Sequence, residues 1–352
     1  SKNLFGLDIN KSIARIAKMK LLLEANGQAN IFCTNSLEDL DEVKLIATGA
    51  LNKKTFDGFD IVLTNPPFGT VGKITNTKTL SQYDLGYKWT GSANEYYKTK
   101  ILRDGQSAEI LFIERCLQLL KEGGRLGIVL PNGHFENPSL EYLRFYLKQK
   151  ANVLAIVNLP QETFIPYGTG VKTSLLFLEK ETANTKTVYP IFFSKIKKPG
   201  YQGNKNGTPI YKKDKYGMTL KDKSGKQILD EDFSIVVEDY KTFQEKQTVS
   251  SDNSFSINFN ELNGRFDYDF YSPENRKMIL GLEDKNAKRL FEVADIVKIK
   301  SKKLNQSDKL VKYVELSDIN THSFEIINTE EYTVHELPSR ASYELKTGDI
   351  IT

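Results

Sequence analysis

One short segment of the sequence has residue types suited to recognising a planar amine. Asn65, Pro66, Pro67 and Phe68 directly follow the apolar run Phe59–Thr64, which predicts a buried β-strand. Two successive prolines fix two backbone φ angles and remove two N–H donors, so the turn is rigid. An amide oxygen and a backbone carbonyl held there can accept both hydrogens of an exocyclic amine, while Phe68 offers a flat face for a base. A purely structural Pro-Pro turn is the alternative interpretation.

Alternating strand and helix signals in residues 1–180 must position this turn. Nearly continuous apolar strands separated by helices are typical of a parallel sheet covered on both faces, which predicts an α/β fold. Helices are predicted after Asn10, from Ser107 and from Leu140. The predicted strands are Leu4–Ile9, Asn30–Thr34, Phe59–Thr64, Leu126–Leu130, Val153–Leu159 and Ser174–Glu179.

The ends of these strands indicate where a ligand would bind. In open α/β sheets, ligands lie beyond the carboxyl ends of the strands. The residues at or just after the ends of predicted strands include Asp8, Asn35, Asn65 and Pro131. We therefore expect the functional site along this edge of the sheet.

With these residues in place, the sequence resembles the N6-adenine DNA methyltransferases, and specifically the modification subunits of type I restriction systems. Asn65–Phe68 after a strand is similar to the catalytic motif of that family. Ser107–Leu120, Gly123–Phe135 and residues 159–180 resemble a helix, the strand after it and the last catalytic segment of the modification subunits. The resemblance covers about residues 1–245 and implies a Rossmann-like methyltransferase sheet with S-adenosylmethionine as cofactor.

The resemblance also implies roles for the residues that meet the target base. Asn65 and the Pro66 carbonyl would accept hydrogen bonds from the adenine amine, with Pro67 completing the rigid turn. Phe68 would stack on a base flipped out of the duplex, because a base inside the duplex cannot reach the cofactor. Phe164 is a candidate for a second stacking face.

Two further residues are implied to bind the cofactor. Asp8 resembles the acidic residue that binds the ribose hydroxyls, and its alternative role is that of a helix N-cap partner. Asn35 stands where the family often has an aspartate beside the adenine of the cofactor. The glycine-rich loop of the family should precede Phe5, so we expect a sheet that is incomplete at its N-terminus. Such a sheet would leave a gap between the strands ending at Asp8 and Thr64.

Residues 195–227 differ in character from the segments around them. They hold ten lysines and only two acidic residues, Asp214 and Asp222, with little periodicity. This composition predicts an exposed basic insertion or hairpin. No internal repeat is apparent in the chain.

A second resemblance covers about residues 260–352. The segments 264–273, 309–326 and 339–351 look like the opening of a target-recognition domain from type I specificity subunits. We therefore expect a methyltransferase catalytic domain at 1–250 and the beginning of a partial α+β target-recognition domain at 251–352. Ser250–Asn253 is a plausible linker, and strand-like segments follow at Tyr313–Glu315, Phe324–Ile327 and Asp349–Ile351. Residues 285–312 hold nine basic and three acidic residues, which suits contact with DNA phosphates. A solvated face is the alternative for that run.

Composition excludes several other classes of protein. No apolar run approaches the roughly 18 residues of a membrane span, and the first ten residues do not resemble a signal peptide. Two cysteines cannot form a disulfide framework, which favours a reducing cytoplasm. The three histidines lie far apart in the sequence, so no metal site is predicted.

These observations together predict S-adenosylmethionine-dependent methylation of adenine N6 in a specific sequence of double-stranded DNA. The resemblance places this activity in a restriction–modification system, with restriction and specificity subunits as partners. Two alternatives stay open. A protein glutamine methyltransferase would use a similar Asn-Pro-Pro turn, although Phe68 in place of tyrosine argues against it. A catalytically inactive DNA-binding subunit is the other, although the intact turn argues against that.

Overall fold

The computed structural model describes residues 4–25, 30–47, 57–69, 72–92, 95–181, 188–285, 287–288, 290–293, 309–321, 323–338 and 341. The chain divides into two compact units, Ser1–Leu280 and Gly281–Thr352. The boundary between these units lies further along the chain than the domain boundary expected at 250/251. Among the described residues, no helix is long and apolar enough to cross a membrane.

The regular elements have the following bounds. The strands are β1 Phe5–Asp8, β2 Asn30–Cys33, β3 Phe59–Thr64, β4 Lys73–Ile74, β5 Tyr87–Ser92, β6 Glu95–Leu102, β7 Gln106–Ser107, β8 Leu120–Pro131, β9 Ala151–Asn158, β10 Thr173–Lys180, β11 Pro190–Lys195, β12 Ser254–Asn258, β13 Leu310–Tyr313 and β14 Glu330–Thr333. The helices are α1 Lys11–Ala25, α2 Leu40–Ala47, α3 Thr77–Leu80, α4 Ala108–Leu119, α5 Gly133–Glu136, α6 Glu141–Lys150, α7 Phe233–Lys246, α8 Tyr268–Tyr271, α9 Pro273–Glu283 and α10 Leu290–Val293.

A mixed six-stranded sheet in the order β12-β11-β9-β10-β8-β3 forms the core of the first unit. Strand β3 is parallel to β8 and β11 is parallel to β9, but β10 runs antiparallel to both of its neighbours. The expectation of a parallel sheet was therefore wrong. A parallel pair needs a crossover connection, whereas the chain returns from β9 to β10 through a loop that holds only the 3₁₀ helix Gln161–Tyr167.

The edge strand β12 lies beyond the segment Ser250–Asn253, which the sequence presented as a plausible linker. It pairs antiparallel with β11, and Phe255 and Ile257 of β12 are buried in the main hydrophobic core. Ser250–Asn253 is instead a turn, in which the Ser251 N–H donates to the Ser254 carbonyl. The residues just after 250 therefore complete the sheet of the first unit.

Strands β1 and β2 form a separate parallel pair, with Asp8 opposite Cys33. Among the described strands, β1 and β3 do not pair, as the expected gap requires. The rings of Phe5 and Phe59 nevertheless lie 5.5 Å apart, so the starts of the two strands are neighbours. Ile61 and Leu63 of the edge strand β3 are 63% and 75% exposed, so one apolar face of β3 is uncovered by the described residues.

Helix α4 packs under the sheet and buries three charged side chains, Glu109, Glu114 and Arg115. The Glu114 carboxylate accepts hydrogen bonds from the backbone N–H groups of Asp84 and Leu85, at 2.8 and 2.9 Å. Burial raises the pKa of Glu114 to about 7. A buried charged group is tolerated only when it is hydrogen-bonded, so these side chains fix α4 against the segments they contact.

Arg115 makes the longest-range of these contacts. Its Nε donates to the Tyr83 hydroxyl at 2.9 Å and its Nη2 donates to the Glu38 carbonyl at 2.6 Å. The Tyr83 hydroxyl in turn donates to the Leu37 carbonyl at 3.0 Å. The loop that follows β2 is thereby attached to α4.

The second unit contains the antiparallel pair β13 and β14, with Leu310 opposite Thr333. The strand predicted at Tyr313–Glu315 overlaps the end of β13, and the one predicted at Phe324–Ile327 contributes the isolated bridge between Ile319 and Ile326. The strand predicted at Asp349–Ile351 lies outside the described residues, as does much of the basic run 285–312.

The Arg115 network predicts a large effect on stability. Arg115→Leu leaves the buried Tyr83 hydroxyl and Glu38 carbonyl without their donor, so we expect the free energy of unfolding to fall by about 3 kcal/mol. The matched control is Arg125→Leu, because the Arg125 side chain is 66% exposed; we expect a change within about 0.5 kcal/mol. Urea denaturation measures both, and equal effects of the two substitutions would contradict the network.

Candidate active site

The Asn65–Phe68 turn begins where β3 ends, at the carboxyl edge of the sheet. The Asn65 side chain is exposed and has no hydrogen-bond partner among the described residues, whereas Pro66 is buried beneath it. An open apolar cleft of about 370 Å³ lies beside Asn65, lined also by Leu63, Val129 and Phe177. The turn thus presents an unengaged amide at the rim of an apolar surface.

The two residues expected to stack on a base are brought together. The rings of Phe68 and Phe164 lie 5.7 Å apart in an edge-to-face arrangement, although 95 positions separate them in the sequence. Phe164 lies on the 3₁₀ helix Gln161–Tyr167, which ends at Gly168 in the left-handed conformation. Both rings are only half-buried, so a flat ligand can reach them.

Glu109 lies near the turn and was not predicted from the sequence as a site residue. It lies in the first turn of α4 and is 7% exposed. Burial raises the pKa of its carboxyl, while a hydrogen bond with the Gly69 backbone acts in the opposite direction. Gly69 follows Phe68 directly, so the Glu109 carboxyl lies near the end of the turn. The only sequence signal was an acidic residue in a helix first turn, which is usually solvated.

Asp8 and Asn35 lie at the ends of the neighbouring strands β1 and β2. One carboxylate oxygen of Asp8 accepts the Asn10 N–H at 2.7 Å, and Asn10 itself caps α1. Asp8 therefore has the alternative helix-capping role, while its second oxygen has no partner among the described residues. The Asn35 amide is engaged at both ends, since it accepts the Leu37 N–H and donates to the Glu38 carboxylate.

The loop that carries Asn35 is also the loop held by Arg115. The Leu37 and Glu38 carbonyls receive the Tyr83 and Arg115 hydrogen bonds described above. Helix α4 therefore contacts both halves of the candidate site, through Glu109 at the turn and through Arg115 at the loop after β2. Phe68 and Phe164 are brought into direct contact, and α4 joins the loop of Asn35 to the segment near the turn, whereas Asp8 contacts only its own helix start and β2 among the described residues.

A row of buried polar side chains runs along the same edge of the sheet. The Asn158 amide donates to the Ser174 hydroxyl at 3.1 Å, and that hydroxyl donates to the Asn132 amide oxygen at 2.9 Å. His134, which follows a strand end, is buried as well, and its Nδ1 bonds the Pro131 carbonyl at 3.1 Å. These side chains hold the strand ends together beneath the turn.

Comparison with known protein families finds one match. Residues 1–269 match the family described as N-6 DNA Methylase. Among curated proteins, the chain is 28% identical over 124 residues to the type I restriction enzyme EcoEI methylase subunit of Escherichia coli, an alignment that covers 34% of this chain and 21% of that protein.

The chain is also 26% identical over 182 residues to the type I restriction enzyme StySPI methylase subunit of Salmonella potsdam, covering 51% of this chain and 29% of the relative. The chain therefore spans less than a third of the length of these two relatives. A modification subunit of a putative type I restriction enzyme from Vibrio vulnificus YJ016 is 20% identical, with a TM-score of 0.48, over 78% of this chain and 49% of that one.

His134 predicts a pH dependence of stability. Burial lowers the pKa of His134 to about 4, and the nearby Arg144 guanidinium acts in the same direction. In the unfolded chain the imidazole is protonated near pH 6.5, whereas in the folded chain it is protonated only near pH 4. The free energy of unfolding therefore falls as the pH is lowered through this window. Between pH 7 and pH 5 we expect this residue alone to remove about 2 kcal/mol.

His134→Asn keeps a donor for the Pro131 carbonyl and does not titrate in this range. We therefore expect the variant to lose about 2 kcal/mol less than the wild type between the two pH values. Denaturant unfolding at each pH measures the difference. Parallel pH profiles for the two proteins would show that His134 is protonated as easily when folded as when unfolded.

Proposed function

The chain belongs to the N-6 DNA methylase family, and from that premise we propose that it transfers a methyl group from S-adenosylmethionine to N6 of adenine in DNA. The observation that supports the proposal most strongly is the rigid turn itself. It presents the unengaged Asn65 amide beside the half-buried rings of Phe68 and Phe164. An amide acceptor next to aromatic faces matches the hydrogen-bonding edge and the flat ring of adenine.

In this proposal, the residues of the turn orient the amine. The Asn65 amide oxygen and the Pro66 carbonyl each accept one hydrogen of the adenine amine, which directs the nitrogen lone pair away from the turn. When bound, S-adenosylmethionine supplies an activated methyl group on its sulfonium. No covalent enzyme intermediate is needed, so the contribution of the turn is alignment and stabilisation of the positive charge that develops on nitrogen.

The rings of Phe68 and Phe164 would receive the flipped base. Base–aromatic stacking compensates part of the cost of unstacking the base from the duplex. Because the two rings contact each other edge to face, they leave ring surface open toward solvent. We assign Phe68 the primary stacking role and Phe164 the second.

The residues at the ends of β1 and β2 differ in their fit to the cofactor. Asp8 fits, because its free carboxylate oxygen can accept hydrogen bonds from ribose hydroxyls while the other oxygen holds the Asn10 N–H. The Asn35 amide is committed to its own turn, so it shapes the loop there. Direct contact of Asn35 with the adenine of the cofactor stays a prediction.

The wider context is part of the proposal. The sheet would be a Rossmann-like methyltransferase sheet that includes β12, so the catalytic domain expected at 1–250 would extend past that strand, and a target-recognition region would begin after it. Because the relatives named above are type I methylase subunits, we propose action on a specific duplex sequence in a restriction–modification system, together with specificity and restriction subunits. We place this activity in the cytoplasm, where free thiols such as those of Cys33 and Cys116 persist.

One prediction of this proposal concerns the Asn65 amide. In the full-length protein, Asn65→Ala removes the acceptor that aligns the amine, so we expect methyl transfer to adenine-containing duplexes to fall about 100-fold or more. Asn152→Ala is the matched control, because Asn152 lies at the start of β9, at the opposite edge of the sheet. Transfer of a radiolabelled methyl group measures both, and near-wild-type transfer by the Asn65 variant would remove Asn65 from the mechanism.

Another prediction concerns the stacking of Phe68 on the target base. Phe68→Ala removes a face worth about 1–3 kcal/mol per stacked base, so we expect transfer to fall roughly 5- to 150-fold. A target adenine in a mismatch is already partly unstacked and should suffer a smaller loss. The ratio of the two losses is the readout, and equal losses on paired and mismatched targets would argue against a stacking role for Phe68.

A further inference from the structure

The basic segment contains a threefold repeat that sequence analysis missed. Residues 204–207, 214–217 and 222–225 have the sequences Asn-Lys-Asn-Gly, Asp-Lys-Tyr-Gly and Asp-Lys-Ser-Gly. Each copy begins with a short side-chain acceptor, continues with lysine and ends in glycine. The uneven spacing of the copies and the change from asparagine to aspartate obscure the repeat in the sequence.

The three copies form the same turn. In each one, the first side chain accepts two backbone N–H groups; Asp214, for example, accepts those of Tyr216 and Met218, both at 2.9 Å. The glycine then takes a left-handed φ that other residues rarely adopt, between 56° and 85° across the three copies. The acidic oxygens are thus used to close the turns.

These turns are the tips of a series of short hairpins in residues 199–231, which we call the hairpin arm. Isolated bridges such as Tyr201 with Pro209 and Tyr211 with Leu229 join its segments. At its base, one carboxylate oxygen of the buried Asp232 accepts the backbone N–H groups of Lys197 and Lys198, both at 2.9 Å. The backbone at the start of the hairpin arm is therefore held in place by Asp232.

Each tip presents an unneutralised lysine. Lys205, Lys215 and Lys223 are exposed, and no carboxylate among the described residues lies within ion-pairing distance of them. Tyr216 is 78% exposed next to Lys215, whose ammonium lies 5.0 Å from the centre of the ring. Three exposed lysines at the tips of the arm, one of them beside an exposed aromatic ring, suit binding to a polyanion.

The first hairpin of the arm packs on the helix that carries Phe164. The Tyr201 hydroxyl donates to the Thr163 carbonyl at 2.7 Å. Gly203 lies so close to Glu162 that a β-carbon would collide with that side chain, and a β-carbon on Gly207 would lie 3.1 Å from Pro166. The first hairpin, which carries Lys205, therefore packs on the helix that carries Phe164.

We propose that the hairpin arm binds the phosphate backbone of duplex DNA next to the target base. This inference rests on the proposed function, because that function brings DNA to Phe68 and Phe164. An anionic lipid surface or an acidic protein would also attract lysines. Only DNA, however, has to lie against the helix on which the arm is anchored. Lysine–phosphate contacts read no sequence, so the arm contributes affinity and orientation rather than recognition.

The test is the salt dependence of DNA binding by the full-length protein. The variant Lys205→Gln, Lys215→Gln and Lys223→Gln removes the three tip charges and keeps the turns. The control variant carries the same lysine-to-glutamine change at three exposed lysines of α1 and α7, namely Lys20, Lys241 and Lys246. Each lost phosphate contact lowers the slope of log K against log salt by about 0.9, so we expect a slope reduced by 2 to 3 and binding about tenfold or more weaker near 0.1 M salt.

The outcomes separate this inference from the proposed function. An unchanged slope in the tip variant, or an equal change in the control, overturns the role of the arm. Reduced binding to anionic lipid vesicles with an unchanged DNA slope also overturns it and assigns the arm to a membrane surface. If the wild type shows an arm-dependent slope yet methylates no adenine, the arm stands as a DNA-binding element and the proposed function fails.

Discussion

The burial of charge on α4 is the constraint on which the arrangement of the candidate site depends. Glu109, Glu114 and Arg115 lie on a helix packed under the sheet, where a charged group without hydrogen bonds would be strongly destabilising. Glu114 therefore accepts hydrogen bonds from the segment at Asp84 and Leu85, and Arg115 donates to the loop after β2, while the Glu109 carboxyl lies near Gly69 after the turn. One helix consequently sets the positions of segments that are far apart in the sequence, which include the proposed amine-binding turn and the proposed cofactor loop.

The same constraint explains why a rigid turn can be combined with an open binding surface. Asn65 keeps an unengaged amide because the two prolines make the turn rigid, so the side chain is not needed to hold the backbone. Phe68 and Phe164 remain half-buried because they come from separate segments that meet only at their rings. A site that must admit and release a base needs such open surfaces on fixed supports.

Sequence patterns predicted the local features well. The strands β1, β2, β3, β8, β9 and β10 lie where apolar runs indicated, and Asn65 follows β3 as expected. The direction of β10 could not be predicted from its composition, because the connection to β9 decides it. The burial of the charges on α4 could not be predicted from the sequence, since burial of a charge depends on partners supplied by other segments. The roles of Asp8, Asn35 and Phe164 came from resemblance, and only Phe164 was found in contact with Phe68.

The central claim is that the chain methylates adenine N6 through the Asn65–Phe68 turn. Its most direct test is to incubate the full-length protein with duplex DNA and isotopically labelled S-adenosylmethionine, digest the DNA to nucleosides and identify the labelled product by mass spectrometry. The account predicts label in N6-methyl-2′-deoxyadenosine and none in cytosine or in protein. Label in a protein glutamine side chain, or in no product while DNA is still bound, would contradict it.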